Sequence, residues 1–188
     1  MSEPASPEAM AAERIRACLA AADPTLNLSE MGLTYLPESL LELTGITTLY
    51  VVGNPLASLP EWIGELTRLN TLYICKTPLV ELPDGICDLS SLEWFWADEN
   101  KLRHLPDRIG ALRKLILLNV ENNQLTDLPV SLRTIKTLRY LHIRNNPALG
   151  IPREVLRNVP EPDDPEPRPT LADAADILDW YFENRVHS

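Results

Sequence analysis

Hydrophobic positions return every 23 residues through most of this 188-residue chain. One column reads Leu26, Leu49, Leu72, Phe95, Leu118 and Leu141; two residues further on a second reads Leu28, Val51, Ile74, Ala97, Val120 and Ile143. A third reads Leu36, Leu59, Leu82, Leu105, Leu128 and Ile151, each followed by proline, and a fourth reads Leu40, Ile63, Ile86, Ile109, Leu132 and Val155. Self-similarity of this length marks stacked coils, none of which buries its apolar face without its neighbours. Within a coil the first two columns alternate with period 2, which predicts a short strand, and successive coils align these strands into a parallel sheet. Volume is conserved between columns, because the coil that has Ala97 in the second has Phe95 in the first.

The column that follows the strand reads Asn54, Thr77, Asn100, Asn123 and Asn146. Here the chain turns away from the sheet, and an inward asparagine offers both an acceptor and donors to backbone groups that have lost their partners. Thr77 supplies only part of this. These five positions are read as a structural ladder, not as ligands.

Together the columns give the pattern LxxLxLxxNxLxxLPxxIxxLxx, which resembles leucine-rich repeats of the LxxLP type over residues 26 to 159. The resemblance implies an α/β fold: a right-handed, curved leucine-rich repeat solenoid. In it a parallel β-sheet lines the concave face and short helical or 3-10 segments the convex face. It also implies protein binding as the usual function.

An open solenoid exposes an apolar end at each terminus and needs atypical elements there. Residues 1–24 are expected to form an N-terminal helical cap, 25–159 about six repeats, 160–170 an acidic proline-rich linker, and 171–188 a capping or connector helix. At the front, Ser6 and Pro7 make a helix start, and Ala11, Ile15, Cys18, Leu19 and Ala22 recur at helical spacing. Met31 stands where later coils have asparagine, as expected of a terminal repeat at a natural N-terminus. At the back, Thr170 and Asp173 have capping-box spacing, and Leu171, Ala174, Ala175, Leu178, Tyr181 and Phe182 share a face. The flanks "LNLSEMGLTYLPESL", "IPREVLRN" and "ILDWYF" resemble the region preceding the GTPase module of bacterial Roco-type proteins. That resemblance implies a regulatory and interaction arm.

Composition narrows the function. With 45% hydrophobic and 23% charged residues the chain reads as soluble and globular, and the acids and arginines of the first 20 residues and the lack of a membrane-length apolar run mean that neither a secretory signal nor a membrane span is expected. Cytoplasmic residence is expected, with export as an effector the alternative. Cys18, Cys75 and Cys87 form no CxxC pair, so neither disulfides nor a zinc site is expected. The seven glycines contain no phosphate-loop spacing, and His104, His142 and His187 have no ligand or nucleophile partners at motif distance. No catalysis, cofactor, metal or small-molecule substrate is therefore expected.

Net charge is −10 but unevenly placed: residues 46 to 100 have eight acids and two bases, residues 101 to 159 four acids and eleven bases. The molecule is expected to be a charge dipole along its length. The basic half (Arg103, Arg108, Arg113, Lys114, Arg133, Lys136, Arg139, Arg153, Arg157) lacks interleaved aromatics and falls mostly on turns and the convex side. Neither nucleic acid nor a membrane is expected as a partner.

Function is then sought in positions that the repeat leaves free, which alternate outward onto the concave sheet. One free column reads Asn27, Tyr50, Tyr73, Trp96, Asn119 and His142; its neighbour reads Thr25, Thr48, Thr71, Trp94, Leu117 and Tyr140. Tyr50, Tyr73, Trp94 and Trp96 are expected to form one continuous aromatic surface, rimmed by Asp98, Glu99 and Glu121, with Lys76 and Arg144 farther along. Such a surface suits a protein partner, or a downstream domain of the same chain. The candidate partner-binding residues are Tyr50, Tyr73, Trp94, Trp96, Asp98, Glu121, Tyr140, His142 and Arg144, and Cys75 is expected to be the one thiol on this face. The competing reading is that aromatics favoured by parallel strands merely ladder against one another. Two other roles stay open: the substrate-recognition part of an effector such as a leucine-rich-repeat ubiquitin ligase, and a free-standing scaffold.

Overall fold

The computed structural model describes residues 6–156 and 173–185. An N-terminal helix, α1 (Pro7–Ala21), leads into six three-residue strands: β1 (Thr25–Asn27), β2 (Thr48–Tyr50), β3 (Thr71–Tyr73), β4 (Trp94–Trp96), β5 (Leu117–Asn119) and β6 (Tyr140–His142). Each is followed by a 3-10 segment: η1 (Glu38–Glu42), η2 (Glu61–Glu65), η3 (Asp84–Asp88), η4 (Asp107–Ala111), η5 (Val130–Thr134) and η6 (Pro147–Leu149). Two helices, α2 (Arg153–Leu156) and α3 (Ala174–Asn184), complete the order.

The strands pair in parallel in sequence order, and the register advances by one repeat at every step, Leu26 on Leu49, Leu49 on Leu72, Leu72 on Phe95 and onward to Leu141. The period thus sets the register, and the first two leucine columns are buried along their whole length. On the other side Pro37, Pro60, Pro83, Pro106 and Pro129 each sit immediately before a 3-10 segment. Proline suits that place, because its fixed φ is ready for the turn and its missing N–H is not needed there. The fourth column is buried from Leu40 to Leu132 but is only partly buried at Val155, where Leu156 takes over the apolar role as the repeat gives way to α2.

The strands end in a left-handed turn that is itself periodic. Glu30, Lys76, Glu99, Asn122 and Asn145 have φ between 53° and 57°, and Gly53 in the same column has φ 68°. A non-glycine residue there costs roughly 1–2 kcal/mol, and after Gly53, Glu99, Asn122 and Asn145 the asparagine next in sequence holds the turn. Asn123 donates from Nδ2 to the carbonyls of Ala97 and Val120, both at 3.0 Å, and its Oδ1 accepts from Leu102 N at 2.9 Å. Asn54 and Asn146 repeat this arrangement on Leu28, Val51 and Leu33, and on Val120, Ile143 and Leu125. Thr77 has one hydroxyl hydrogen for two acceptors, Ile74 O at 3.4 Å and Oδ1 of Asn100.

At the front, the Ser6 hydroxyl accepts from Ala9 N at 3.2 Å, and Ala11, Ile15 and Cys18 pack on the first coil. Leu19 and Ala22 do not belong to that face, contrary to the spacing: Leu19 is 46% exposed, and Ala22 leaves the helix at φ 51°. A stripe at i, i+4, i+7 already covers the coil, and Leu19 lies one position round the cylinder from it. Arg14 donates to Asn27 O at 2.7 Å, a carbonyl of the outermost strand.

At the back, α3 buries Ala174, Ile177, Leu178 and Tyr181 and packs on η5 and β6. Ala175 is exposed and Ile177 takes its expected place. Asp173 is the N-cap residue, without a side-chain cap bond, while Thr170 and Leu171 lie outside the described residues. Three hydrogen bonds tie the helix down: Leu128 N to the Tyr181 hydroxyl at 3.1 Å, Ala174 N to Arg139 O at 3.1 Å, and Arg185 to Thr126 O at 2.6 Å. Arg133 adds an exposed ion pair with Asp179 at 2.8 Å and lies over the Phe182 ring.

Candidate protein-binding face

Each strand buries its middle residue and turns the two flanking ones to the concave side. In β2, β3, β4 and β6 the flanking residues are half-buried. Because the strands are in register, residues of one column become lateral neighbours. Tyr50 and Tyr73 stack with centroids 4.5 Å apart and planes within 5°; Tyr73 and Trp96 continue at 5.8 Å and 14°. These separations are close to the spacing of strands themselves, about 4.8 Å. The rings therefore stand up from the sheet like cards, face to face, and present edges to solvent.

The stack runs along one of the two free columns. Its fourth member is His142, edge-on to Trp96 at 6.4 Å and 88°, while Trp94 lies in the next column, in register with Thr71 and Leu117. Trp96 is on β4 and His142 on β6, so their contact bridges over Asn119 of β5. Asn119 is consequently buried, and so is Leu117, although alternation alone places both outward. Tyr140 stands beyond Leu117 in the Trp94 column.

Beneath this roof lies a small polar cluster. Asp98 accepts from the Cys75 thiol at 3.0 Å and from Asn119 Nδ2 at 3.1 Å, and Asn119 Oδ1 accepts from Glu121 N at 3.0 Å. Cys75 is thus buried and not the surface thiol expected; burial and the Asp98 carboxylate push its ionisation far up. Cys87, on the convex side, is pushed up to about 12, chiefly by burial and then by Asp84. Burial lowers the His142 pKa, with the Arg144 charge acting in the same direction and Asp98 opposing. Burial first, then Tyr50 and Cys75, raises the Tyr73 hydroxyl. The Trp96 indole N–H is buried and, among the described residues, has no acceptor.

The remaining candidates divide. Glu121 joins the polar cluster through its backbone, whereas Arg144 donates to Leu156 O at 3.1 Å and so belongs to the junction with α2. Lys76 and Glu99 form an exposed ion pair at 3.7 Å, worth about 0–1 kcal/mol. The asparagine ladder lies behind the sheet, in the core. Asn119 was the residue missed as a member of the site. Its signal was its place in the column between Trp96 and His142. Among the described residues no group of His, Cys, Asp and Glu could hold a metal ion, and no helix is long and apolar enough to cross a membrane.

No protein-family model matches the chain, and no curated protein matches it in sequence. Solved structures do. YopM from Yersinia enterocolitica superposes with a TM-score of 0.64 at 28% identity, covering 77% of this chain and 29% of that one. A Shigella effector leucine-rich repeat domain gives 0.59 at 28% identity, covering 76% and 59%, and a leucine-rich repeat protein of Leptospira interrogans gives 0.59 at 27%, covering 64% and 36%. The chain therefore spans less than two thirds of each of these structures. What they share with it is the fold, and the fold of this protein is the leucine-rich repeat solenoid.

Proposed function

We propose that the protein is a non-catalytic interaction module that captures a protein partner on its concave face, with Tyr73, Trp94 and Trp96 at the centre of the contact. The observation that carries this reading is the stack of Tyr50, Tyr73, Trp96 and His142 with Trp94 beside it, half-buried side chains on the one broad face that the repeat leaves free. Rigid aromatic side chains give large contact area at low entropic cost and dominate protein interfaces. In the finer form of the reading, these residues are the regulatory arm of a Roco-type GTPase protein, on the sequence resemblance of "LNLSEMGLTYLPESL", "IPREVLRN" and "ILDWYF". Residues 1–24 and 171–188 would then cap the repeats, or the latter would connect them to a downstream domain.

The similarity to a Shigella effector domain favours a second reading, the recognition part of an exported bacterial effector. The endogenous gene product separates the two: a GTPase module downstream supports the first, a ligase or export signal the second.

The test of the common core is a triple variant, Tyr73→Ala, Trp94→Ala and Trp96→Ala, compared with the parent in partner capture from the native cell. Loss of capture with an unchanged circular dichroism spectrum is expected. Undiminished capture by a folded triple variant would move the contact off this face.

A further inference from the structure

The coils are not fastened alike, and the joint between the first and the second lacks two fastenings. On the flank between the turn and the 3-10 segment, backbone bonds lace neighbouring coils together: Lys101 N donates to Leu79 O at 2.8 Å and Gln124 N to Leu102 O at 2.9 Å. Pro55 and Pro78 hold that place in the second and third coils, and proline has no N–H to give to Leu33 or Leu56. The lace is therefore missing at the first two joints.

The convex side tells those two apart. There η2 packs on η3, η3 on η4 and η4 on η5, whereas η1 packs on α1 and scarcely meets η2. Hydrogen bonds repeat the difference. Gly85 N donates to the Glu61 carboxylate at 2.7 Å, Arg108 to Asp88 at 2.9 Å and Gly110 N to the Ser131 hydroxyl at 3.3 Å, each from one 3-10 segment to its neighbour. Among the described residues no hydrogen bond joins η1 to η2. What holds the first coil to the second lies along the sheet and the turn after it. These bonds are the β1–β2 ladder, Val52 N on the Ser29 hydroxyl at 3.2 Å, and the Asn54 amide on Leu28, Met31 and Leu33. Leu40 and Ile63 are fully buried beneath the joint, so the core is continuous there and movement is a rocking, not a detachment.

We propose that α1 and the first coil rock as one body on the rest of the solenoid, about an axis along β1 and β2. Fastened on the sheet side and unlaced on the convex side, the joint opens between η1 and η2, and each opening tightens the arc at its N-terminal end. Thr25 and Asn27 stand in register with Thr48 and Tyr50. The rocking therefore carries this rim of the concave face toward the rings, while the stack from Tyr50 to His142 lies wholly on the other body and keeps its contacts. The width of the face is thus adjustable without repacking its aromatics, whatever the face binds.

Spin labels on the full chain test this. One pair of exposed sites, Glu42→Cys with Ala111→Cys, spans the joint; a second pair of equal sequence separation, Glu65→Cys with Thr134→Cys, does not. The native Cys18, Cys75 and Cys87 are buried, and labelling of the parent chain measures their background. The distance distribution of the first pair is expected to be at least about twice as wide as that of the second. Pro55→Lys, which puts back the N–H that Lys101 supplies in the fourth coil, should narrow the first distribution and leave the second unchanged. Equal widths for the two pairs overturn the inference. So does a folded Pro55→Lys chain whose first distribution stays as wide as before, because the missing lace would then not be what frees the joint. Should Pro55→Lys fail to fold, the comparison of the two pairs without it decides alone.

Discussion

Asn123 and Thr77 hold the same place in different coils and are both buried, yet they do unequal work. Asn123 satisfies two carbonyls and one N–H of the backbone; the Thr77 hydroxyl serves one acceptor at a time. A buried backbone group without a partner costs about 1–3 kcal/mol. Asn123→Ala is therefore expected to lower unfolding stability by about 3 kcal/mol or more, and Thr77→Asn to raise it by about 1 kcal/mol, both read from urea unfolding. Equal midpoints for the three proteins would remove the ladder from the account. The ladder was legible in the sequence because one physical demand, recurring in each coil, selects one residue type. The left-handed column of Glu30, Gly53, Lys76, Glu99, Asn122 and Asn145 recurs just as strictly but shares no side-chain chemistry, so it left no mark. Asn119 was hidden for a different reason: what buries it is the lean of Trp96 and His142 from two other strands, a contact that alternation along one strand does not encode. The orphaned Trp96 N–H is likewise a product of packing: among the described residues it is the one buried side-chain nitrogen or oxygen without a partner, and it lies at the candidate site, where such breaks are expected.

Among the elements, the 3-10 segments limit how tightly the coils stack. At Gly85 an added Cβ would stand 2.0 Å from Glu61 O, and at Gly64 one would stand 2.3 Å from Gly85 O, so η2 and η3 touch backbone to backbone. The same approach lets Gly85 N donate to the Glu61 carboxylate at 2.7 Å. Gly85→Ala must push these segments apart and is expected to cost about 1–3 kcal/mol. Gly45→Ala, where nothing lies within 4 Å, serves as the control and is expected to be near neutral. If thermal melts show the two substitutions to be equally mild, the convex side is looser than the structure has it. The strands and the proline column were foreseen from periodicity, since six coils reinforce one another's pattern, whereas the 3-10 segments came from the family resemblance alone. The terminal helices were foreseen less well. Leu19 and Ala175 were assigned inward from spacing on single short helices, where the tertiary contact, not the helix, decides how wide the buried stripe is.

Apart from the Trp96–His142 contact over β5, the backbone elements of each coil pack on those of its neighbours, so stability is close to a sum of intrinsic and nearest-neighbour terms and unfolding starts where a coil has one neighbour instead of two. The first coil has α1 packed on β1 and η1, and the last two have α3 packed on η5 and β6, where it supplies the buried Ile177, Leu178 and Tyr181 and accepts the Leu128 N–H. Stopping the chain at residue 172 removes that cover. It uncovers apolar surface on η5 and β6 and leaves Leu128 N–H, buried with its acceptor gone, to find water. Hydrogen exchange should then show β6 and η5 amides losing protection first and by the largest factor, β5 next, with β2 and β3 at their full-length values. That order is what nearest-neighbour coupling demands, because the loss of one interface is felt in full only by the coil that made it. If protection falls evenly from β1 to β6, the solenoid unfolds as one cooperative unit and α3 holds the whole of it. If β6 keeps the protection of β3, α3 is a passenger on the repeats.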